Sequence, residues 1–151
     1  MKIYKAPQAF TITEGKLIFL AGSIDMGNAM DWQSQVINFF KDKHCTILNP
    51  RRDDWDSNWK QSPDNAAFSE QVNWELDAMG RADLIIMNFL PGSQSPVTLL
   101  ELGLMAASGK LKVCCPASFW RSGNVLIVCK RYNIPVYNDL AQLLSAVELQ
   151  D

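Results

Sequence analysis

The sequence predicts an α/β fold: a three-layer α/β/α sandwich around a five-stranded parallel sheet, with the flavodoxin-like (Rossmann-like) strand order 2-1-3-4-5. Two patterns support this prediction. Short apolar runs recur along the chain without strict alternation, which is typical of parallel strands buried on both faces. Longer amphipathic stretches separate these runs, so a helix is expected to join each strand to the next in a right-handed crossover. We expect residues 1–151 to form one domain.

Each element follows from its own stretch of sequence. The apolar runs predict strands at 17–21, 45–48, 84–89, 112–115 and 134–136. The amphipathic stretches predict helices at about 28–43, 65–80, 98–108, 124–131 and 140–148. The longest irregular stretch, 49–64, contains Trp55 and Trp59. A polar loop of this length in a compact domain is usually functional or mobile, and the two tryptophans argue against simple disorder.

The composition limits the classes of partner. The chain has 151 residues, of which 48% are hydrophobic and 20% charged, and its net charge is −2. This balance argues against a nucleic-acid polymer as a partner, because binding to a phosphate backbone needs a dense field of Lys and Arg. The first ten residues are too polar for a secretory signal, and no apolar run is long enough to cross a bilayer. We therefore expect a cytoplasmic protein with no membrane partner.

The cysteines predict neither disulfides nor a metal site. Three of the four lie in or beside apolar runs, two of them are adjacent, and none forms a CxxC pair, so we expect buried, reduced thiols at Cys45, Cys114, Cys115 and Cys129. The single histidine, His44, has no His/Cys cluster around it. A zinc site is therefore not expected. The sequence also contains neither a GxGxxG fingerprint nor a P-loop motif.

Polar and glycine-containing segments follow four of the predicted strands. They are residues 22–27, 49–52, 93–101 and 116–124. In an open α/β sheet the loops at the carboxyl ends of the strands form the ligand-binding crevice. We therefore expect these four loops to lie close enough to line one cleft.

Glu101 is the most informative residue of these loops. It lies about two turns into the helix predicted after the third strand, among Leu99, Leu100, Leu102 and Leu104. A carboxylate in so apolar a stretch either points to solvent near the helix N-terminus or faces the cleft, partly buried. In the cleft it can attack an electrophilic carbon or transfer a proton.

Glu75 is the second candidate carboxylate. It lies on the helix predicted before the third strand, at the border of an apolar stripe formed by Val72, Leu76 and Met79. Taken alone, this position is also compatible with an ordinary solvated helix face. Since two carboxylates suffice for proton and group transfer, we expect no metal or organic cofactor.

The remaining candidates are polar or aromatic residues of the same loops. Gly22 and Ser23 form a turn in which the backbone can approach a ligand closely. Arg51 and Arg52 can clamp a carboxylate or phosphate, or pair with the neighbouring aspartates. Tryptophans can stack on a planar base or simply pack. The full set of candidate binding residues is Gly22, Ser23, Asp25, Asn49, Arg51, Arg52, Trp55, Trp74, Ser95 and Asn124.

Taken in order, these stretches resemble the nucleoside 2-deoxyribosyltransferase family, in particular its nucleoside 2-deoxyribosyltransferase-like branch. The Glu-Leu-Gly motif at Glu101 is only moderately specific for this family when taken alone. The whole set of matching stretches, in this order along the chain, is much more specific. The resemblance extends over about residues 17–137. The matching stretches are 19–24, 49–52, 68–75, 82–85, 95–103 and 119–125.

The resemblance implies a retaining double displacement at a sugar carbon. The family's nucleophile falls on Glu101, which would form a covalent deoxyribosyl ester, and the proton donor to the leaving base falls on Glu75. A second base, or water, would then take the sugar from Glu101, as in retaining glycosidases. The implied partners are a 2′-deoxynucleoside, or its 5′-monophosphate, and a free nucleobase. The resemblance also implies a homo-oligomer, in which a C-terminal carboxylate, here that of Asp151, joins a neighbouring site.

Two alternatives remain open at the level of sequence. The transferases usually carry aspartate where this chain has Glu75 and Ser95, and a serine at the second position is similar to relatives that hydrolyse deoxynucleoside 5′-monophosphates. Asp25 would repel such a phosphate unless Arg51 or Arg52 compensates. The other alternative is a nucleotide-binding sensor without catalytic activity, which would need neither Glu101 nor Glu75.

Overall fold

A six-stranded, all-parallel sheet forms the centre of the molecule. The computed structural model describes residues 1–11, 13–25 and 29–149. The strands are β1 (Lys2–Lys5), β2 (Lys16–Gly22), β3 (Cys45–Asn49), β4 (Leu84–Asn88), β5 (Leu111–Cys114) and β6 (Val136–Tyr137). Their order across the sheet is β1-β3-β2-β4-β5-β6, and every neighbouring pair is parallel.

The α/β class and the flavodoxin-like order are confirmed, but the predicted strand number is wrong. The five predicted strands correspond to β2 to β6, in the predicted order, and β1 is a sixth strand that pairs with β3 at the edge. The sequence of β1 conceals it, since Lys2 and Lys5 flank Ile3 and Tyr4 and the strand is nowhere fully buried. Lysines are common on edge strands, where they discourage pairing with another chain.

In the part of the chain that the structure describes, four α-helices connect β2 to β6 and a fifth follows β6. They are α1 (Trp32–Phe39), α2 (Ala66–Arg81), α3 (Pro96–Met105), α4 (Ser122–Arg131) and α5 (Leu140–Ser145). N-cap residues define the starts of several of these helices. For example, the side chain of Asp31 accepts a hydrogen bond from Ser34 N, and that of Asn65 accepts one from Phe68 N. The first helix is shorter than predicted at both ends, and the predicted start at residue 28 lies outside the described residues. A 3₁₀ turn, Ala106–Ser108, completes the predicted third helix.

Two hydrophobic layers hold the helices against the sheet. Helices α2, α3 and α4 cover one face, where Trp74, Leu102 and Val125 pack with strand residues such as Phe19 and Ile85. On the other face, α1 and α5 pack on the alternate strand residues, and this cluster includes Trp32, Val36, Leu143, Ile18 and Ile86. Because strand residues alternate between faces, each buried strand contributes to both layers.

The cysteines belong to this core. As predicted, all four are buried and free, and burial raises the pKa of Cys114 to about 12 and that of Cys129 to about 11. The thiol is therefore the stable form, and these residues behave as small hydrophobic side chains. Within the described residues, no helix combines the length and the apolar composition needed to cross a membrane.

Candidate active site

A cavity of about 590 Å³ opens at the carboxyl end of the sheet. Three of the four predicted loops line it, those after β2, β3 and β4, together with one side of α2 and the first turns of α3. The floor is apolar and includes Phe19, Ala21, Phe68 and Val72. The fourth loop, 116–124, adds no residue to the lining, although Trp120 Nε1 donates to the carbonyl of Gln94 at its rim.

Glu101 enters this cavity from the second turn of α3. The helix begins at Pro96, whose ring suits the first helical position, and Ser95 precedes it in the left-handed region with a φ of 48°. The Glu101 side chain is almost entirely buried, at 8% exposure. Burial, together with the negative charge of nearby Glu75, raises the pKa of the Glu101 carboxyl to about 8. The solvent-facing alternative for this residue therefore does not hold.

Glu75 lines the same cavity from α2. Its Oε1 accepts a hydrogen bond of 2.7 Å from Nε2 of Gln71, one helical turn earlier. Burial raises the pKa of Glu75 to about 7, although the hydrogen bond from Gln71 acts in the opposite direction. The buried side of α2 runs through Gln71, Trp74 and Ala78, whereas Leu76 is exposed. The predicted apolar stripe is therefore wrong at Leu76, although Met79 is buried, and Glu75 lies closer to the core than expected.

The two carboxyl groups form an electrostatic pair. Both are removed from water, and the charge on Glu75 disfavours the ionisation of Glu101. Near neutral pH such a pair holds one proton, because two uncompensated negative charges in one buried site repel each other. The cavity therefore offers one ionised and one protonated carboxyl group at the same time, which is the combination needed by a nucleophile and a general acid.

A cluster of three serines and one aspartate lies at the wall of the cavity near β2 and β4, and three of its members, Ser23, Asp25 and Ser95, line the cavity. The Ser95 hydroxyl lies within hydrogen-bond distance of Ser23 and Ser93, and Ser93 donates to Asp25. The backbone N–H of Leu90 donates to Ser23 Oγ. Asp25 and Ser95 both have positive φ values, 49° and 48°. Left-handed backbone at non-glycine residues is costly, and such conformations concentrate at functional sites.

Gly22 brings the backbone of β2 close to its neighbours. Its φ is 151°, and an added Cβ would collide with the carbonyl oxygen of Asn88 and approach Cζ2 of Trp32 to 2.8 Å. The residue lines the cavity as predicted. Glycine is required here, however, because the backbone lies close to the neighbouring strand and to Trp32.

Arg52 and Trp55 form the wall on the side of β3. The guanidinium group of Arg52 makes two hydrogen bonds of 2.9 Å to Asp54 and lies 4.9 Å from the ring centre of Trp59. Trp55 packs edge-on against Trp59 at 5.0 Å. The irregular loop predicted at 49–64 thus has an ordered aromatic centre, and two of the predicted binding residues face the cavity from it.

Four of the predicted binding residues do not line this cavity. Asn49 is buried, and its Oδ1 accepts from the backbone of Arg51. The Arg51 side chain donates to the carbonyl of Ala29, away from the cavity lining. Trp74 packs in the core against Phe10 and Phe19, and its Nε1 donates to Gln8. Asn124 lines a separate surface groove of about 320 Å³ between α3 and α4.

Sequence reasoning missed Gln71, which links the proposed acid to the loop after β3. Its Nε2 donates to both Glu75 and the carbonyl of Pro50. The signal was present in the sequence, because residues four apart on a helix are neighbours on its surface. Ser93 and Thr98 were also missed, and both are buried beside the predicted Ser95 and Glu101.

The raised pKa values predict a pH-dependent effect of removing a carboxyl group. Folded-state values of about 8 and about 7 exceed the ordinary 4.5, so folding takes up protons. The stability that this gives is present below pH 4.5 and is lost as the pH rises to about 8. We expect Glu101→Gln to be more stable than the parent at pH 8, by about 1 kcal/mol or more, and not at pH 4.5.

Denaturant unfolding at the two pH values, followed by circular dichroism, measures this difference. Asp77→Asn is the matched control, because Asp77 is an exposed carboxylate on α2. An equal change in stability at both pH values for Glu101→Gln would contradict the account of a desolvated carboxyl group.

Comparison with known proteins adds one finding. A family model described as nucleoside 2-deoxyribosyltransferase like matches residues 15–119. The match covers β2 to β5, α2 and α3, and therefore both carboxyl groups of the cavity and its three lining loops. No curated protein matches the chain significantly.

Proposed function

Because the chain belongs to the nucleoside 2-deoxyribosyltransferase-like family, we propose that it transfers the 2-deoxyribosyl group of a 2′-deoxynucleoside from one nucleobase to another. The observation that carries this proposal is the pair of desolvated carboxyl groups, Glu101 and Glu75, in one cavity. Cleavage of an N-glycosidic bond with retention needs one carboxylate to attack the sugar and one acid to protonate the leaving group.

In the first step, a carboxylate oxygen of Glu101 attacks C1′ of the sugar as the bond between C1′ and the base nitrogen breaks. The electron pair of that bond goes to the base, and Glu75 supplies the proton. In the second step, a nitrogen of the incoming base attacks C1′ on the opposite side from the ester. The ester bond breaks, the carboxylate of Glu101 is restored, and Glu75 takes back a proton.

The proton must be on Glu75 when the sugar reacts. The hydrogen bond from Gln71 favours the ionised form of Glu75, and Glu101 has the higher pKa. Positive charge that develops on the sugar ring favours the ionised form of Glu101. Once Glu101 is ionised, its charge raises the affinity of Glu75 for the proton. As this charge develops, the proton would therefore be favoured on Glu75, the group that donates it.

The serine cluster supports the placement of the sugar. Ser23, Ser95 and Asp25 lie on the wall of the cavity formed by the loops after β2 and β4, while Arg52 and Trp55 lie on the wall after β3. Hydroxyl and carboxylate groups hydrogen-bond sugar hydroxyls, whereas an indole and a guanidinium group suit a planar base. We therefore assign the serine cluster to the deoxyribose and the Arg52 side to the nucleobase.

The position of Asp25 supports the free nucleoside, rather than its 5′-monophosphate, as the substrate. Its carboxylate accepts from Ser93 within the serine cluster, where a 5′-phosphate would meet a negative charge. We expect the nucleoside to be the better substrate by about tenfold or more in kcat/KM, since like charges in a cavity repel strongly. Asp25→Asn should reduce this preference because it removes the charge and keeps the shape.

Chromatography of base-exchange reactions tests the proposal. The protein is incubated with each 2′-deoxynucleoside, with and without a second free base, and in parallel with each 5′-monophosphate. A new deoxynucleoside that forms only with the acceptor base is the expected result. Release of base from monophosphates alone would instead favour the 5′-monophosphate N-glycosidase. The absence of any reaction would favour a sensor without catalytic activity.

We also propose that the protein forms a homo-oligomer. Several large apolar side chains of α3 and α4 are exposed, including Leu100 at 71% and Ile127 at 73%. Exposed apolar residues grouped on neighbouring helices are typical of protein–protein contacts. The predicted contribution of Asp151 to a neighbouring site concerns a residue outside those described.

A further inference from the structure

Three buried polar atoms on one side of the cavity have no hydrogen-bond partner. They are Nη1 of Arg52, Nε1 of Trp55 and Oε1 of Gln71, and they are the only such side-chain atoms among residues 1–11, 13–25 and 29–149. All three residues line the cavity. An unpaired buried polar group is destabilising, so three on one wall indicate that a ligand supplies the missing partners.

The remaining contacts of these residues fix what each free atom can do. Arg52 uses Nε and Nη2 for Asp54, while Glu70 lies 4.0 Å from Nη1, beyond hydrogen-bond distance. Gln71 uses its amide nitrogen for Pro50 and Glu75, both acceptors, so its free atom is the carbonyl oxygen. The wall therefore offers two N–H donors and one acceptor.

The contacts of these residues separate the two donors, whose side chains pack on Trp59, from the acceptor, whose side chain contacts the proposed acid. Arg52 and Trp55 both pack on Trp59, at 4.9 and 5.0 Å. Gln71 instead contacts Glu75 directly. A ligand that satisfies the wall must therefore present acceptor positions to the Arg52 and Trp55 side and an adjacent N–H to Gln71.

We propose that Arg52, Trp55 and Gln71 select nucleobases in which a ring carbonyl lies next to a ring N–H. In hypoxanthine, guanine, uracil and thymine, the carbonyl oxygen can accept from the two donors, and the adjacent N–H can donate to Gln71. Adenine and cytosine carry an amino group beside a bare ring nitrogen at that edge, so they present a donor where the wall has donors. This inference rests on the proposed function, because it assigns the wall to the base of the nucleoside.

The preference for these bases can be measured with pairs of deoxynucleosides whose bases have nearly the same size. We expect kcat/KM for deoxyinosine to exceed that for deoxyadenosine by about tenfold, and deoxyuridine to exceed deoxycytidine similarly, because the disfavoured base leaves buried groups unpaired. Trp55→Phe removes one donor and keeps an aromatic ring, and it should reduce the preference severalfold. Asp77→Asn, which alters an exposed residue of α2 outside the cavity lining, should keep it.

Equilibrium binding of free hypoxanthine and free adenine separates this inference from the proposed function. Tighter binding of hypoxanthine, reduced in Trp55→Phe, supports the inference whether or not nucleosides are cleaved. Turnover of nucleosides with equal preference within each pair, or a preference unchanged in Trp55→Phe, would overturn the inference and leave the proposed function standing. Equal binding of the two free bases together with no turnover would overturn both.

Discussion

Replacement of Glu101 by glutamine is expected to lower kcat for base exchange by about three orders of magnitude or more. Glutamine fills nearly the same volume, but its amide cannot attack C1′, so no covalent intermediate forms. The affinity for the deoxynucleoside should change little, because the serine cluster and the wall at Arg52 remain. Steady-state exchange kinetics and equilibrium binding of the nucleoside measure these two effects separately.

The stability of Glu101→Gln must be measured as well, because an unfolded variant would also lose activity. Because burial raises the pKa of Glu101, the glutamine variant should be at least as stable as the parent at pH 8. A loss of activity in a well-folded protein is then a loss of chemistry. Activity of Glu101→Gln near that of the parent would rule out this residue as the nucleophile.

Replacement of Glu75 by glutamine is expected to change both the rate and its pH dependence. The parent needs one ionised and one protonated carboxyl group, so kcat/KM should rise and fall around pKa values of about 7 and 8. In Glu75→Gln the alkaline fall should disappear, because glutamine has no proton to lose. The acidic rise should move to lower pH, because the charge that raises the pKa of Glu101 is gone.

The size of the effect should depend on the leaving group. General acid catalysis contributes about 10² to 10⁴ in rate, so Glu75→Gln should lose about that factor with an ordinary deoxynucleoside. A deoxyriboside with a good leaving group, such as p-nitrophenol, should react at nearly the parental rate because it needs no proton. Asp77→Asn, which alters an exposed carboxylate on the same helix, is the control. An equal loss with both substrates would contradict the role of Glu75 as the acid.

Much of the fold could be predicted from the sequence because buried parallel strands leave a clear signal. The apolar runs at 17–21 and 84–89 correspond to the central strands β2 and β4, which are packed on both faces. Edge strand β1 left no such signal, since only alternate residues are partly buried. The helix predicted at 28–43 extended too far in both directions, because amphipathic composition continues beyond the hydrogen-bonded turns.

The residues that line the cavity could be predicted where their location depends on their place relative to the strand ends. They were harder to predict where their location depends on side-chain packing. Gly22 ends β2, Ser23 follows it, and Ser95 and Glu101 lie beyond the end of β4. The topology alone therefore brings these residues to one cavity. Trp74 is of a residue type that can stack on a base, but it packs in the hydrophobic core. Gln71 belongs to no distinctive sequence motif. Only the structure shows that it donates hydrogen bonds to Pro50 and Glu75.

The central claim is that Glu101 becomes covalently attached to the sugar. Mass spectrometry of the intact protein, quenched rapidly after mixing with a deoxynucleoside and without an acceptor base, tests it most directly. We expect an increase by the mass of one deoxyribosyl group, located by peptide mapping to Glu101 and lost when a free base is added. An adduct on another residue, or base exchange that proceeds without any adduct, would contradict it.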